Sequence, residues 1–214
     1  MLQTRKIPQQ ERSKQRVAAI IDVASQLLVS HGYAKFSTNL VARTAGVNIA
    51  SLYQYFPNKE ALIYAINREM LDEVLVELER IEREWLETLA ANCSWQTLFQ
   101  NLNDKLRSEP GHVKLVRELD FAISTNAELQ AMEYDHSEKV AAFFKRLLRH
   151  SGSQWPEQRL LNTGRLLYQY CSFSLYDMGA LDAEDERESQ ELHDIALHAL
   201  VNAALANDNE NNPL

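Results

Sequence analysis

The chain contains little of what marks a secreted, disulfide-bonded or membrane-spanning protein. Its only two cysteines, Cys93 and Cys171, lie far apart within helical patterns and are expected to be reduced, buried thiols. No apolar run approaches the ~20 residues that a membrane span requires. The polar N-terminal segment, MLQTRKIPQQERSKQ, lacks the apolar core of a signal peptide. These absences predict a cytoplasmic protein.

Motifs for catalysis and metal binding are also missing. His193 and His198 are five residues apart, so they do not share a helix face as an i, i+4 pair of metal ligands does. We find no phosphate-binding loop, nucleophile elbow or CxxC motif. The acidic run 182–188 is typical of a solvated loop rather than a metal cage. The sequence therefore predicts a non-enzymatic protein without metal or cofactor. The remaining histidines are isolated: His31, His112, His136 and His150.

The net charge of −8 conceals an uneven distribution. Residues 1–59 contain eight Lys and Arg against two Asp and Glu, a net charge of +6. The remaining residues contain 14 against 28, a net charge of −14. Because the acidic body repels nucleic acid, only the basic end is expected to meet a polyanion. A merely soluble basic surface is compatible with the same numbers.

Helical periodicity runs through nearly the whole sequence and predicts an all-α protein. Apolar residues at i, i+3, i+4 and i+7, from Val17 to Leu28, predict a first helix from about Gln10 to Gly32. We find no strand pattern and no internal repeat. Later helices are predicted at 95–107, 112–124, 126–150, 156–178 and 190–206, with an acidic loop at 180–189 and a disordered tail.

Two short helical patterns between residues 37 and 56 are separated by a glycine. Thr38 is a candidate N-cap for a helix ending at Ala45, and Gly46 supplies the turn. Asn48 is a candidate N-cap for a second short helix that ends at Phe56. A Pro-Asn pair then precedes a helix of about 30 residues, roughly 45 Å long. Such a helix is long enough to link two modules mechanically.

Two tyrosines on the second short helix point in different directions. Tyr53 and Tyr55 are two residues apart, which places them about 200° apart around a helix. They cannot both face one core, so at least one is expected to be partly exposed with its hydroxyl available to a phosphate. Leu52 and Phe56, at i and i+4, form the inward-facing pair. Ordinary packing of both tyrosines is the alternative.

The pattern T-x-x-x-A-x-x-A-G-V-x-x-x-x-L-Y-x-Y-F-x-x-K-E, from Thr38 to Glu60, resembles the DNA-binding signature of TetR-type transcriptional regulators. The Gly32-Tyr33 pair before it is similar too. The rest of the chain matches that family only in length and helical character. The resemblance implies a helix-turn-helix DNA-binding domain at 1–59, with the motif at 37–56. It also implies a helical ligand-binding and dimerisation domain at 60–208, and the polar end of the sequence predicts a disordered tail at 209–214.

The resemblance also implies which residues contact DNA. Thr38 would lie on a phosphate, and Tyr55 and Lys59 would hold the backbone. The other residues that the resemblance places against base edges or along the groove wall are Asn48, Ile49, Ala50, Ser51, Tyr53 and Gln54. Four N-terminal basic residues either reach the flanking DNA or form a solvated tail: Arg5, Lys6, Arg12 and Arg16.

Two positions depart from the family pattern and bear on the operator sequence. Asn48 stands where serine is commoner, and Ile49 where a polar or basic residue often sits. Asparagine reads adenine bidentately, and Ile or Ala contacts a thymine methyl group. We therefore predict a half-site rich in A and T at these positions. An isoleucine packed inward would remove half of this hypothesis.

The last two helical patterns carry stripes of apolar and small residues. Part of each stripe must be intrachain core. DNA-binding proteins of this class need two half-sites, and TetR-type proteins dimerise through their last two helices. The resemblance therefore implies a homodimer with these interface residues: Leu160, Gly164, Leu167, Cys171, Leu192, Ile195 and Ala199.

Aromatic residues are frequent in the middle helices, where most are expected to be ordinary core. By resemblance, a subset lines a pocket for a small effector beside the long helix. Arg117, Glu118 and Asp120 are candidate polar contacts of that pocket. The predicted lining residues are Trp95, Phe99, Phe121, Tyr134, Phe144, Tyr168 and Tyr170.

The sequence thus predicts a homodimeric one-component transcriptional regulator, most readily a repressor. Its expected partners are palindromic double-stranded DNA, a second copy of the chain and a small, largely apolar ligand whose binding lowers operator occupancy. No membrane partner is expected. The alternative is a ligand-independent architectural or division-type DNA-binding protein that uses the same head.

Overall fold

The computed structural model describes residues 11–88, 94–108, 111–176 and 183–206, and the regular structure in these ranges is α-helical, which confirms the all-α prediction. The helices are α1 (Glu11–His31), α2 (Thr38–Thr44), α3 (Ile49–Tyr55), α4 (Lys59–Thr88), α5 (Trp95–Ser108), α6 (His112–Ser124), α7 (Ala127–His150), α8 (Glu157–Tyr176) and α9 (Ala183–Leu205).

Local side-chain signals explain where most helices begin and end. α1 ends where Gly32 adopts a left-handed conformation at φ +75°. Asn48 caps α3 as predicted, because its Oδ1 accepts the amide two residues further on at 2.8 Å. Asn58 caps α4 and Asn126 caps α7 in a similar way. Short polar side chains therefore set the starts of three of these helices.

The cap of α2 differs from the prediction by one residue. Ser37, with extended backbone, is the N-cap, and its hydroxyl accepts the amide of Leu40 at 3.2 Å. Thr38 is instead the first helical residue. Serine and threonine are both good N-caps, so the sequence does not separate the two adjacent candidates. The shift leaves the Thr38 hydroxyl available for a different contact.

The start of α9 is a larger departure. The prediction of an acidic loop at 180–189 is wrong for its later part, because α9 begins at Ala183 rather than near Gln190. The segment AEDERES contains Ala, Glu and Arg, which favour helix, and acidic residues are stabilised near a helix N-terminus. Its charges therefore extend the helix. The predicted end of α8 at 178, Cys93 and the predicted tail lie outside the described residues.

The described residues form two compact units, each with its own apolar core. The first contains the described residues up to Glu73 together with Lys114–Glu133, and therefore includes most of α6, which lies beyond the predicted domain 1–59. Apolar residues of α1–α4, α6 and α7 share its core. The second contains the described residues of 74–113 and those from Tyr134 onward. Its core is rich in Trp, Phe and Leu.

α7 and α8 approach each other closely at Gly164 in the second unit. A Cβ at this position would overlap the carbonyl oxygen of Ala141, so the helix contact requires glycine. Ion pairs between neighbouring helices join this unit further, as between Arg146 and Glu82. No helix within the described ranges is long and apolar enough to cross a lipid bilayer.

Candidate nucleic-acid interface

α2 and α3 form a helix-turn-helix that is closed by backbone hydrogen bonds. Gly46 occupies the turn at φ +65°, with open space where a Cβ would be, so backbone conformation rather than crowding favours glycine there. The amide of Val47 donates to Ala42 O at 3.0 Å and closes the end of α2. Asn48 follows immediately as the cap of α3. The turn thereby sets where α3 begins.

Apolar side chains hold α3 on the core of the first unit. Leu52 and Phe56 are fully buried, which confirms the predicted inward pair. Tyr55 is 7% exposed and Tyr53 is 40% exposed, so one tyrosine faces the core and the other faces solvent, as their spacing predicts. The exposed side of α3 is formed by Ala50, Tyr53 and Gln54.

A pair of hydroxyl groups joins the two helices of the motif. Thr38 Oγ1 lies 3.2 Å from the phenolic oxygen of Tyr53, close enough for one hydroxyl to donate to the other. One hydroxyl proton of the pair is left for an external acceptor, such as a phosphate oxygen. The structure thus brings together two of the residues predicted to contact DNA.

The first residues of α3 give less support to the predicted half-site. Asn48 Oδ1 is engaged with the amide of Ala50, so the side chain is held against the backbone rather than extended toward an adenine. Ile49 is half-buried and packs against the core of the first unit. We therefore withdraw the predicted contact from Ile49 to a thymine methyl group. Ala50 is exposed and retains its candidate contact, and Ser51 is half-buried.

Lys59 binds residues of its own unit. Its Nζ donates to Tyr33 O at 2.5 Å and lies 3.5 Å from the centre of the Tyr33 ring. Burial lowers the pKa of Lys59, and the carboxylate of Glu60 opposes this shift. Lys59 therefore connects the start of α4 to the turn after α1. Its predicted contact with a phosphate stays a prediction.

Glu118 of α6 supports the same turn from a distant part of the chain. Its carboxylate accepts the backbone N–H of Tyr33 at 2.7 Å and would lie 3.3 Å from a Cβ at Gly32. The Phe121 ring lies 5.3 Å from the Tyr33 ring. Glu118 thus belongs to the unit that carries the helix-turn-helix, and its role as a polar contact of a ligand pocket stays a prediction. Because Tyr33 and Glu118 are 85 positions apart in the sequence, no local sequence signal indicates their hydrogen bond.

Exposed basic side chains occur on several elements of the first unit. Arg12 and Arg16 are exposed on α1, Arg43 on α2, and Lys35 in the turn between them. Arg5 and Lys6 lie outside the described residues. The described positive charges are therefore open to solvent and to a polyanion.

The seven aromatic residues predicted for a ligand pocket do not form one group. Phe121 belongs to the first unit, and the other six belong to the second. Phe121 and Tyr134 are exposed at 61% and 66%. Trp95, Phe99 and Phe144 are buried and form a chain of ring contacts, with centroids 5.9 and 6.1 Å apart. The predicted set is thus partly core and partly surface.

The remaining two predicted pocket residues contact histidines. The Tyr168 ring lies 6.0 Å from that of His136, and the Tyr170 ring 5.3 Å from that of His193. A surface depression of about 590 Å³ lies between α5 and α9, and none of the seven residues lines it. Its walls are formed by Gln96, Arg187, Gln190, Glu191, Asp194, Ile195, His198, Ala199 and Asn202.

The residues predicted for the dimer interface divide between interior and surface. Leu160, Gly164 and Leu167 are buried inside their own protomer, because this stripe of α8 faces the rest of the second unit. Cys171 is a free, half-buried thiol whose pKa is raised by burial to about 12. The predicted interface role of the three buried residues is therefore wrong. The predicted residues that remain exposed are Leu192, Ile195 and Ala199.

Similarity to known proteins is concentrated in the helix-turn-helix and in the fold. Residues 20–66 match the family model of bacterial regulatory proteins of the tetR family. A fatty acid metabolism regulator protein of Bacillus subtilis (strain 168) is 26% identical over 74 residues, which cover 35% of this chain and only 38% of that protein.

Two solved structures share the fold over most of their length. A TetR-family transcriptional regulator from Pectobacterium atrosepticum superposes with a TM-score of 0.68 at 17% identity, covering 94% of this chain and 99% of that one. The multidrug binding protein EbrR, solved with imidazole, superposes with a TM-score of 0.65 at 20% identity. This superposition covers 86% of this chain and 94% of that one. The matched family segment contains the whole of α2, the turn and α3. Residues 20–66 therefore match the DNA-binding segment of the tetR family of bacterial regulatory proteins, and the described fold is similar to that of a TetR-family structure.

Proposed function

We propose that this regulator is a cytoplasmic homodimeric repressor that binds a palindromic operator and is released from it by a small, largely apolar ligand. The observation that carries the DNA-binding half of the proposal is the exposed side of α3 beside the Thr38–Tyr53 hydroxyl pair. Apolar contacts from Leu52 and Phe56 support α3 from behind, so its outer side is free to enter a major groove.

On DNA, the hydroxyl pair and the exposed arginines bind phosphates, while Ala50 and Gln54 lie against the bases. Phosphate contacts position the protein, and base contacts specify the sequence. Gln is suited to a bidentate contact with adenine, and the Ala methyl group to a thymine methyl group. The basic residues of the first unit match the charge of the DNA backbone.

A second copy of the chain supplies the second half-site. Leu192 and Ile195 are 61% and 58% exposed on α9, and Leu166 is 44% exposed on α8. Burying these apolar side chains against the same helices of a second protomer removes them from water and gives a two-fold axis. The axis places the half-sites about one helical turn apart, ~34–36 Å.

Ligand binding by the second unit is proposed from its aromatic core and from the relative EbrR, a multidrug binding protein solved with imidazole. A ligand that prefers the DNA-free state lowers operator occupancy by its difference in affinity for the two states. A coupling of about 1–3 kcal/mol changes DNA affinity roughly 5- to 150-fold.

Selection of random duplex DNA by the purified full-length protein, at stated salt, tests the proposal. We expect enrichment of a palindrome with equal half-sites, and loss of that enrichment with Gln54→Ala combined with Ala50→Asp. Arg83→Ala, an exposed change on α4 in the second unit, is the control and should select the same palindrome. Binding that tracks only salt, with no enriched sequence, would contradict sequence-specific recognition.

The scatter of the predicted pocket residues favours a second candidate function, a ligand-independent DNA-binding protein with the same head. The two candidates differ in one measurable property. Fluorescence anisotropy of the selected operator is followed while imidazole and small aromatic compounds are added. Release of the operator by any of them supports the ligand-responsive repressor, and an unchanged affinity throughout supports the ligand-independent protein.

A further inference from the structure

Two buried tryptophan N–H groups in the second unit have no hydrogen-bond acceptor among the residues that the structure describes. Trp85, near the end of α4, is 5% exposed, and Trp95, at the start of α5, is 8% exposed. Their rings meet edge to face, with centroids 5.3 Å apart. Most buried polar groups in proteins are hydrogen-bonded, so two adjacent unpaired donors indicate that an acceptor from outside the chain completes them.

The third tryptophan does not share this property. Trp155 belongs to the same apolar core and is 9% exposed, but its indole nitrogen is not among the unpartnered buried atoms. The guanidinium of Arg159 lies 3.7 Å from the centre of its ring. Among the three tryptophans, the unpaired buried N–H groups therefore occur in the Trp85–Trp95 pair.

The surroundings of the Trp85–Trp95 pair are aromatic. Phe99 lies 5.9 Å from Trp95, and Phe144 lies 6.1 Å from Phe99, measured between ring centroids. Planar rings of this kind favour a planar aromatic ligand. Because a charge buried among such rings loses its hydration, the acceptor that these donors favour is neutral, and a carbonyl oxygen meets this requirement.

The same part of the core lies beside an opening to solvent. Gln96, the next residue after Trp95, lines the depression of about 590 Å³ between α5 and α9. His198 lines it as well, and its ring is 6.5 Å from that of Phe99. A volume of this size lies within the usual range of small-molecule pockets, ~300–1,000 Å³. Gln96 and His198 therefore connect the wall of the depression to the Trp95–Phe99 part of the core.

We propose that Trp85 and Trp95 bind the carbonyl oxygen of a neutral aromatic compound, and that this is the ligand class to which the regulator responds. The inference rests on the proposed function, because it names the ligand of that function. The indole N–H groups bind and orient the carbonyl, and the Phe rings contact the aromatic body.

Calorimetric titration of the full-length protein without DNA tests the site with two molecules of one shape. Acetophenone and α-methylstyrene differ only in a carbonyl oxygen against a methylene group. We expect acetophenone to bind about tenfold or more tightly, although it is the more polar of the two. Equal affinities, or no binding of acetophenone, would overturn the proposal.

Matched variants locate the effect. Trp85→Phe and Trp95→Phe each remove an N–H but keep a ring, and they should reduce the preference for acetophenone several-fold. Trp155→Phe is the control and should leave the preference unchanged. Benzothienylalanine in place of Trp95 keeps the volume and removes only the N–H, so it decides the result if a Phe variant fails to fold. An unaltered preference in the folded variants at both positions would overturn the assignment.

Operator binding separates this site from the proposed function. If acetophenone binds through these tryptophans but does not change operator affinity, the site stands and the ligand-responsive repressor fails. If other compounds release the operator while acetophenone shows no carbonyl preference, the repressor stands and this site fails.

Discussion

The side chains of Thr38 and Tyr53 meet at 3.2 Å between their hydroxyl oxygens, one from each helix of the helix-turn-helix. This contact orients both side chains before DNA is present, so each loses less conformational freedom when the protein binds DNA. It also makes the two hydroxyls interdependent, because removal of one leaves the other without its partner.

Tyr53→Phe is expected to lower operator affinity about 5- to 30-fold, the effect of losing roughly 1–2 kcal/mol of hydrogen bonding. Because the lost group is uncharged, the slope of log affinity against log salt should not change. Anisotropy titrations at several salt concentrations measure both quantities. Tyr134→Phe removes the hydroxyl of a more exposed tyrosine in the second unit and should have no effect. Wild-type affinity in Tyr53→Phe would contradict a phosphate contact by the pair.

Lys59→Met is expected to destabilise the protein by about 1–3 kcal/mol, because it removes a charged hydrogen bond to Tyr33 O and a cation–π contact with the Tyr33 ring. Urea unfolding measures the change. Lys35→Met is the control, since Lys35 is exposed, and it should stay within about 0.5 kcal/mol of the wild type. If Lys59 also contacts a phosphate, the salt slope of operator binding falls by about 0.9.

Glu133→Gln is expected to stabilise the protein near neutral pH by about 1–2 kcal/mol. Burial raises the pKa of Glu133, a hydrogen bond from Asn67 opposes the shift, and Asp120 adds to it. Asn67 is fully buried and its Oδ1 has no partner within the described ranges, so a Gln amide at 133 can donate to it.

The pH dependence of this effect has a definite sign. With its pKa raised in the folded protein, Glu133 binds its proton more tightly there, so it destabilises the fold as pH rises from its ordinary pKa through the raised value. The advantage of Glu133→Gln should therefore be largest above that window and shrink below it. Denaturation at several pH values tests this, with exposed Glu87→Gln as the control. A constant difference at every pH would exclude titration of Glu133 as its cause.

Gly164→Ala is expected to destabilise the second unit by about 1–3 kcal/mol, because the added methyl group meets the carbonyl of Ala141 on α7. Thermal unfolding followed by circular dichroism gives the change. Gln158→Ala, an exposed change on the same helix, should unfold close to the wild-type temperature. Wild-type stability in Gly164→Ala would mean that α7 and α8 separate at little cost.

Ile195→Glu and Leu192→Glu are expected to convert the proposed dimer to monomers that keep their helical content. Both side chains are exposed in the protomer, so a charge there is harmless to the fold and unfavourable only in a subunit interface. Analytical ultracentrifugation measures the oligomeric state. Val76→Glu changes a similarly exposed apolar residue on α4 and should remain dimeric. Dimers in all three variants would place the interface elsewhere.

Much of the fold could be predicted because its signals are local. Capping residues such as Asn48 and Asn126, and the glycine at 32, act within a few residues of themselves. The inward pair Leu52 and Phe56 follows from helical spacing alone. The error at α9 has the same origin, since a charged segment with good helix formers satisfies the rules for a loop and for a helix equally well.

The parts that could not be predicted depend on contacts between distant residues. Spacing shows that Leu160 and Leu167 share a face of α8, but not whether that face meets α7 or a second protomer. Ile49 follows a cap and could point either way, and its partial burial is decided by the core of the first unit. The role of Glu118 depends on α6 reaching the turn after α1, which no pattern along the chain encodes.

The hydrogen bond from Tyr33 to Glu118 also bears on how the protein is made. The first unit is assembled from two separate stretches, and the second stretch ends at Glu133. At about 5–20 residues per second, a ribosome needs roughly 3–12 s after residue 73 to deliver residue 133. During that time the nascent first unit lacks α6. A fragment that stops at the end of α4 lacks α6 in the same way, and with it the hydrogen bond from Tyr33 to Glu118.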